Sequence, residues 1–144
     1  MQSLTNEELA YLAGIIDGEG TIAISVDKAG YYALRLLISN TSTKLIEWLS
    51  QRLEVSIYTS RQRKAGSKQL YSVDIVSKKG KEVIEQVFPY LIVKKDHARV
   101  AFLFPFLRDY PKEKWEELKV TQSFCYEELK ELNKRGVKED PLEV

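Results

Sequence analysis

Asp17 and Glu19 stand two residues apart in the stretch Leu12-Ala13-Gly14-Ile15-Ile16-Asp17-Gly18-Glu19-Gly20. Carboxylates are hard oxygen ligands. They suit Mg²⁺, which takes one or two of them together with phosphate oxygens and water. Their position is unusual. The residues before them repeat at helical spacing, so both acids fall where a helix ends and its macrodipole is negative. A carboxylate there is disfavoured by roughly 0.3–1 kcal/mol. Either the two acids are solvated turn residues beside Gly18 and Gly20, or a cation compensates them.

The helix that carries them has a defined start. Thr5 and Glu8 form a T-x-x-E capping box, which predicts a helix from about Asn6 to about Asp17. Leu9, Leu12 and Ile16 share one face, suited to the chain's own core. Ala10, Gly14 and Gly18 recur at i, i+4 and i+8 on another. That second face carries almost no side chain, so a second helix can approach it backbone to backbone. Each glycine inside a helix costs about 1 kcal/mol relative to alanine, and close approach must repay it.

Leu12 to Gly20 reads LAGIIDGEG and resembles the LAGLIDADG motif of homing endonucleases and related maturases. Ile15 replaces the usual leucine, Gly18 replaces alanine, and Glu19 lengthens the acid by one methylene. The motif occurs once. In the family, single-motif chains form homodimers and double-motif chains fold as pseudo-dimers. The resemblance implies a Mg²⁺-dependent hydrolase of double-stranded DNA associated with intron mobility, with Mn²⁺ able to substitute. It would cut both strands of a long pseudo-palindromic site and leave short 3′ overhangs. Glu19 from each subunit and the Gly18 carbonyl would hold the metal. Further catalytic residues implied are Asn40, which would order water, and Lys44 and Lys94, which would stabilise phosphorane charge. Thr41 is the alternative to Asn40, and Lys95 to Lys94. A second reading is a DNA- or RNA-binding protein of the same fold that has lost cleavage, a maturase or a regulator.

Periodicity along the chain supplies the frame. Thr21–Val26 and Tyr31–Ser39 alternate apolar and polar around the turn Asp27-Lys28-Ala29-Gly30, a β-hairpin. A helix follows over about Lys44–Leu53. A second hairpin is expected from Val55–Arg63 and Gln69–Val76, then a helix at Lys81–Phe88. An apolar helix from Asp96 to Leu107, interrupted or ended by Pro105, comes next, and a last one begins at Pro111 and stops at Gly136. The fold class expected is α+β, with an αββαββα core over about residues 4–107 and one domain spanning 1–144. One sheet face would be covered by helices. The other would be open and carry DNA-binding residues: Ser25, Asp27 and Arg35 from the first hairpin, and Thr59, Arg61, Arg63, Lys64, Lys68 and Ser72 from the second. Arginine can grip guanine bidentately, and hydroxyls can meet other base edges. Lysines in the 64–68 loop suit phosphate.

Charge agrees with this division. The net charge is +1. Residues 61–108 nevertheless hold 11 basic and 4 acidic side chains, a net +7, between two segments of −3 each. A polyanion partner fits that middle third. The single histidine, His97, and single cysteine, Cys125, argue against a zinc cluster, a histidine-metal nuclease or an internal disulfide. No apolar run has the length of a membrane span, and no targeting segment is visible, so the expected location is intracellular.

Overall fold

The computed structural model describes residues 3–60, 65–134 and 142. Helix α1 spans Asn6–Glu19. Its capping box is closed in both directions: Thr5 Oγ1 accepts from the Glu8 N–H, and the Glu8 carboxylate accepts from the Thr5 N–H. Strand β1 (Gly20–Val26) follows with no intervening residue. Gly20 makes that junction possible, because a Cβ there would lie 2.9 Å from the Ile16 Cα and carbonyl oxygen. β2 spans Tyr32–Asn40, α2 Thr43–Leu53, β3 Ile57–Thr59 and β4 Tyr71–Val76. Helices α3 (Ser77–Val87), α4 (Lys95–Leu103) and α5 (Trp115–Leu132) complete the chain.

The sheet is antiparallel, in the order β1-β2-β4-β3. Its even-numbered positions in the first hairpin, Ile22, Ile24, Leu34, Leu36 and Ile38, are buried together with Val73 and Ile75 of β4. Leu12 and Ile16 of α1, Ile46 and Leu49 of α2, and Val83 and Ile84 of α3 join the same cluster. This is the expected α+β arrangement, with the helices on one side of the sheet. The first hairpin turns as expected: the Asp27 carboxylate accepts from the Tyr31 N–H at 2.9 Å, and Gly30 takes φ 87.

Several boundaries differ from expectation. α3 begins at Ser77, four residues before Lys81. Ser77 makes the bend with φ 58, and Gly80 lets the first helical turn lie against the sheet, where a Cβ would be 2.6 Å from the Ile75 carbonyl oxygen. α4 ends at Leu103 instead of Leu107, because Pro105 bars a helical conformation at Phe104 (ψ 115). α5 begins at Trp115, after a short 3₁₀ turn at Lys112–Lys114, and not at Pro111. Its expected stop, Gly136, lies outside the described residues. β3 is three residues long, and the expected strand end at Arg61–Arg63 also lies outside them.

The motif leaves the place of α5 open, and the structure supplies it. Cys125 and Leu129 enter the shared core, Tyr126 packs on Tyr32 with ring centroids 5.6 Å apart, and Asn133 Nδ2 donates to the Ile22 carbonyl at 2.8 Å. His97 sits half-buried between α4 and the end of α5. Burial, and after it the Lys94 charge, pushes its pKa below the ordinary value, against the opposing pull of Leu132, Asn133 and Asp96.

The start of α1 is tied to α2 by Arg52, whose guanidinium reaches both Glu8 oxygens at 2.6 and 2.8 Å. The Arg52 fork, with the Thr5 N–H, holds the Glu8 carboxyl down at about 2. A carboxyl with a depressed folded pKa stabilises the fold above the ordinary value of 4.5, and that contribution is lost as pH falls toward 2. Thermal melts across that window should therefore fall more steeply for the parent than for Glu8→Gln. Parallel curves for the two proteins would mean the fork adds nothing to acid stability.

Candidate active site and nucleic-acid interface

The C-terminal end of α1 separates its two acids. Asp17 is half-buried, and its oxygens accept three backbone N–H groups, from Ile92, Val93 and Lys94, at 2.8, 3.1 and 3.0 Å. Those amides open the segment leading into α4, so Asp17 also sits at the positive end of that helix dipole. Asp17 is therefore neither a solvated turn residue nor an acid waiting for a cation. Glu19 is different. It is exposed, and no hydrogen bond or ion pair joins it to any described residue.

Asp17 also anchors a cation. Lys94 Nζ donates to the Asp17 carbonyl at 3.2 Å, one of the orphan carbonyls that end α1. Lys94 thus stands beside Gly18 and Glu19. Lys95 turns away, with its Nζ 5.6 Å from the centre of the Phe88 ring. Asp17 thus holds Lys94 at the end of α1 across 77 residues of sequence, through its carboxylate to the Lys94 N–H and its carbonyl to Nζ. Asp17→Asn keeps the shape and removes the charge, and its amide nitrogen would face an N–H it cannot accept. It should destabilise the fold by about 1–3 kcal/mol in chemical denaturation. An unchanged midpoint would show that the three amides are satisfied without it.

Asn40 ends β2. Gly20 pairs with Ile38, so Asn40 lies at the same end of the sheet as the α1 terminus. Its amide oxygen accepts the Ser42 N–H at 2.8 Å, which fixes the amide orientation and leaves Nδ2 as the available donor. Thr41 is exposed. Lys44 is exposed in the first turn of α2, which begins at Thr43 with Ser42 as its cap.

The bare face of α1 is uncovered among the described residues. Ala10, Gly14 and Gly18 are exposed, and a Cβ at Gly14 or Gly18 would meet nothing within 4 Å. Nothing inside one chain requires either residue to be glycine. Next to this face, the segment held by Asp17 exposes Ile92 and Val93, at 85% and 53%.

The sheet face away from the helices carries Ser25, Arg35, Ser39, Ser72 and Asp74. Arg35 pairs with Asp74 at 3.2 Å, which orients the guanidinium and leaves other N–H donors free. The Ser39 and Ser72 hydroxyls lie 2.7 Å apart. Thr59 does not belong to this face. It pairs with Tyr71, whose side chain packs toward the core, while Tyr58 pairs with Ser72 and takes the open side. A three-residue strand gives too little alternation to decide its face from sequence. Asp27 sits in the hairpin turn rather than on the sheet, with one oxygen engaged by Tyr31. Lys68 is exposed in the second hairpin's loop. Arg61, Arg63 and Lys64 lie outside the described residues. Asp74 and Tyr58 are additions to the expected surface. The alternation Tyr71-Val73-Ile75 against Ser72-Asp74 carries the signal for Asp74.

Among the described residues, no three of His, Cys, Asp and Glu gather as a metal cluster, and no helix is long and apolar enough to cross a membrane.

Comparison with known proteins agrees with this geometry. The family model of the LAGLIDADG-like domain matches residues 6–87. No curated protein matches the chain significantly. Among solved structures, the homing endonuclease I-CvuI, in complex with a DNA target, is similar at 18% identity with a TM-score of 0.71, covering 94% of this chain and 87% of that one. The archaeal intron-encoded homing endonuclease I-Vdi141I, complexed with DNA, is similar at 16% identity and TM-score 0.67, covering 94% and 90%. The LAGLIDADG homing endonuclease I-SmaMI, bound to cleaved DNA, is similar at 18% identity and TM-score 0.58, but 95% of this chain covers only 48% of that one. The matched region runs through both hairpins and includes the whole of LAGIIDGEG, over more than half of the sequence, and on that match this chain belongs to the LAGLIDADG-like domain family.

Proposed function

We propose that the protein is a homodimeric, divalent-metal-dependent endonuclease that cuts double-stranded DNA at a specific site. The observation that carries this reading is the exposed Glu19, with no hydrogen-bond or ion-pair partner among the described residues, at the helix end where Asp17 holds Lys94 and where a Cβ at Gly14 or Gly18 would meet nothing within 4 Å. A protein that only binds DNA has no use for a bare carboxylate facing phosphate.

Two copies joined along Ala10, Gly14 and Gly18 would make an isologous seam and bring two Glu19 residues to the two-fold axis. The half-length overlap with I-SmaMI supports a unit that works as one of a pair. Glu19 and the Gly18 carbonyl offer hard oxygen donors, which fit Mg²⁺ or Mn²⁺. Bound there, the ion would neutralise charge on the attacking and leaving oxygens of an in-line displacement. The chain's own residues do the rest. Asn40 Nδ2 would hold a water whose oxygen forms the new bond to phosphorus as the leaving oxygen departs. Lys94, positioned by the Asp17 carbonyl, would stabilise negative charge on the phosphorane. Lys44 would add a second cation from α2. On the open face, Arg35 would read guanine, with Ser25, Ser39 and Ser72 near other base edges, and Lys68 would hold phosphate.

The test is incubation with a randomised duplex library in Mg²⁺, Mn²⁺, Ca²⁺ or chelator. Mg²⁺ and Mn²⁺ should give recurrent cut ends. Ca²⁺ should enrich the same sequences uncut, since its looser coordination does not hold water in line. Enrichment of one sequence without cutting in any metal would favour a DNA-binding regulator or maturase instead.

A further inference from the structure

Residues paired across antiparallel strands share a face, so the open side of the sheet is ordered in rows. Leu37 stands between Thr21 and Asp74 in one row, and Arg35 stands between Ala23 and Val76 in the next. Gly20 pairs with Ile38, so the Leu37 row is the nearer of the two to Glu19.

Leu37 adds nothing to the core. It is 39% exposed, while Leu36 and Ile38 on either side of it are at 0% on the opposite face. The charges of these two rows are Arg35 and Asp74, and they bond each other at 3.2 Å. Asp74 Oδ1 is buried, so the carboxylate serves the guanidinium. The two charges cancel, which leaves this part of the face with no net attraction for phosphate. Base edges remain. A leucine side chain matches the C5-methyl of thymine, the apolar group that the major groove displays. An arginine fork held by a carboxylate keeps N–H donors for the O6 and N7 of guanine. Same-face residues of one strand lie about 6.8 Å apart, and base pairs stack at about 3.4 Å. A strand lying along the groove therefore presents Arg35 about two base pairs beyond Leu37, on the side away from Glu19.

We propose that Leu37 selects a thymine through its methyl group, and that Arg35, held by Asp74, selects a guanine about two base pairs farther from the cut. The assignment rests on the proposed reading of this face as a DNA surface. Asp74 is a positioning residue in it: Asp74→Asn frees the Arg35 charge for phosphate, so binding to random duplex should hold or tighten while the preference for guanine falls about tenfold.

The test selects duplexes from a randomised library by binding in Ca²⁺, then replaces each thymine of the selected site in turn by deoxyuridine, which removes the methyl group alone. One thymine in each half-site should be sensitive, with binding to the parent weakened about fourfold, the scale of one methyl group returned to water. Leu37→Ser should no longer distinguish the two bases there. Arg35→Ala should lose a guanine about two base pairs outward of that thymine. The deoxyuridine series on the parent alone keeps the test valid if a variant fails to fold. The proposal is overturned if no thymine is sensitive to loss of its methyl, if the sensitivity survives in folded Leu37→Ser, or if the guanine lies on the central side of the thymine. A selected site with these contacts that is never cut in Mg²⁺ would end the endonuclease reading and keep this one. A parent that selects no sequence would end both.

Discussion

Glu19→Gln should leave DNA binding at or slightly above the parental level and reduce cleavage by at least about 10³-fold, the scale on which a single charge-stabilising group at a reacting centre acts. Glu19 ends α1 against the helix dipole and has no hydrogen-bond or ion-pair partner among the described residues. In a two-fold dimer it would also face its copy, and two close carboxylates repel. Glutamine keeps the shape and removes both penalties, so the metal-free protein should melt no lower than the parent. The loss of a negative charge near phosphate favours binding. Filter binding and single-turnover cleavage of one duplex separate the two effects. Near-parental cutting by Glu19→Gln would end its assignment as a metal ligand.

Gly14→Leu should convert the proposed dimer into a folded monomer. A Cβ at Gly14 would meet nothing within 4 Å among the described residues. A leucine in place of a helical glycine should by itself raise α1 stability by about 1 kcal/mol. The same leucine would force apart two helices that approach through their backbones. The expected result is therefore an unusual pairing: loss of dimer in sedimentation, loss of cleavage, and a monomer no less stable to denaturant than a parental chain. A dimer unchanged by Gly14→Leu would put the interface elsewhere. A monomer that fails to fold would mean that the glycine face is used within the chain.

What the sequence discloses about this fold is mostly local. The T-x-x-E box at Thr5 and Glu8 marks the start of α1 to the residue, because capping depends on atoms three positions apart. Alternation in Thr21–Val26 and Tyr31–Ser39 correctly separates the buried from the open face, because a paired strand has period two. The bare stripe of Ala10, Gly14 and Gly18 is visible for the same reason. What is hidden depends on partners far along the chain. Asp17 reads as a solvated turn residue or an acid compensated by a cation until the amides of Ile92, Val93 and Lys94 fold back onto it. Asn40 looks free until the Ser42 N–H takes its oxygen. Ser77-Lys78-Lys79-Gly80 reads as a loop, since only the packed structure shows that glycine brings α3 against the Ile75 carbonyl. Thr59 falls on the wrong face because three residues carry too little pattern.

The most direct test is the map of cut positions on both strands of the selected DNA. On the proposed reading, one Glu19 per chain at a shared two-fold axis would place equivalent groups on the two strands. The cuts should then lie symmetrically about the centre of a pseudo-palindromic sequence and leave short 3′ overhangs, in Mg²⁺ and for the parent only. Cuts confined to one strand, or placed without symmetry about the bound sequence, would contradict a site built from two copies of Glu19.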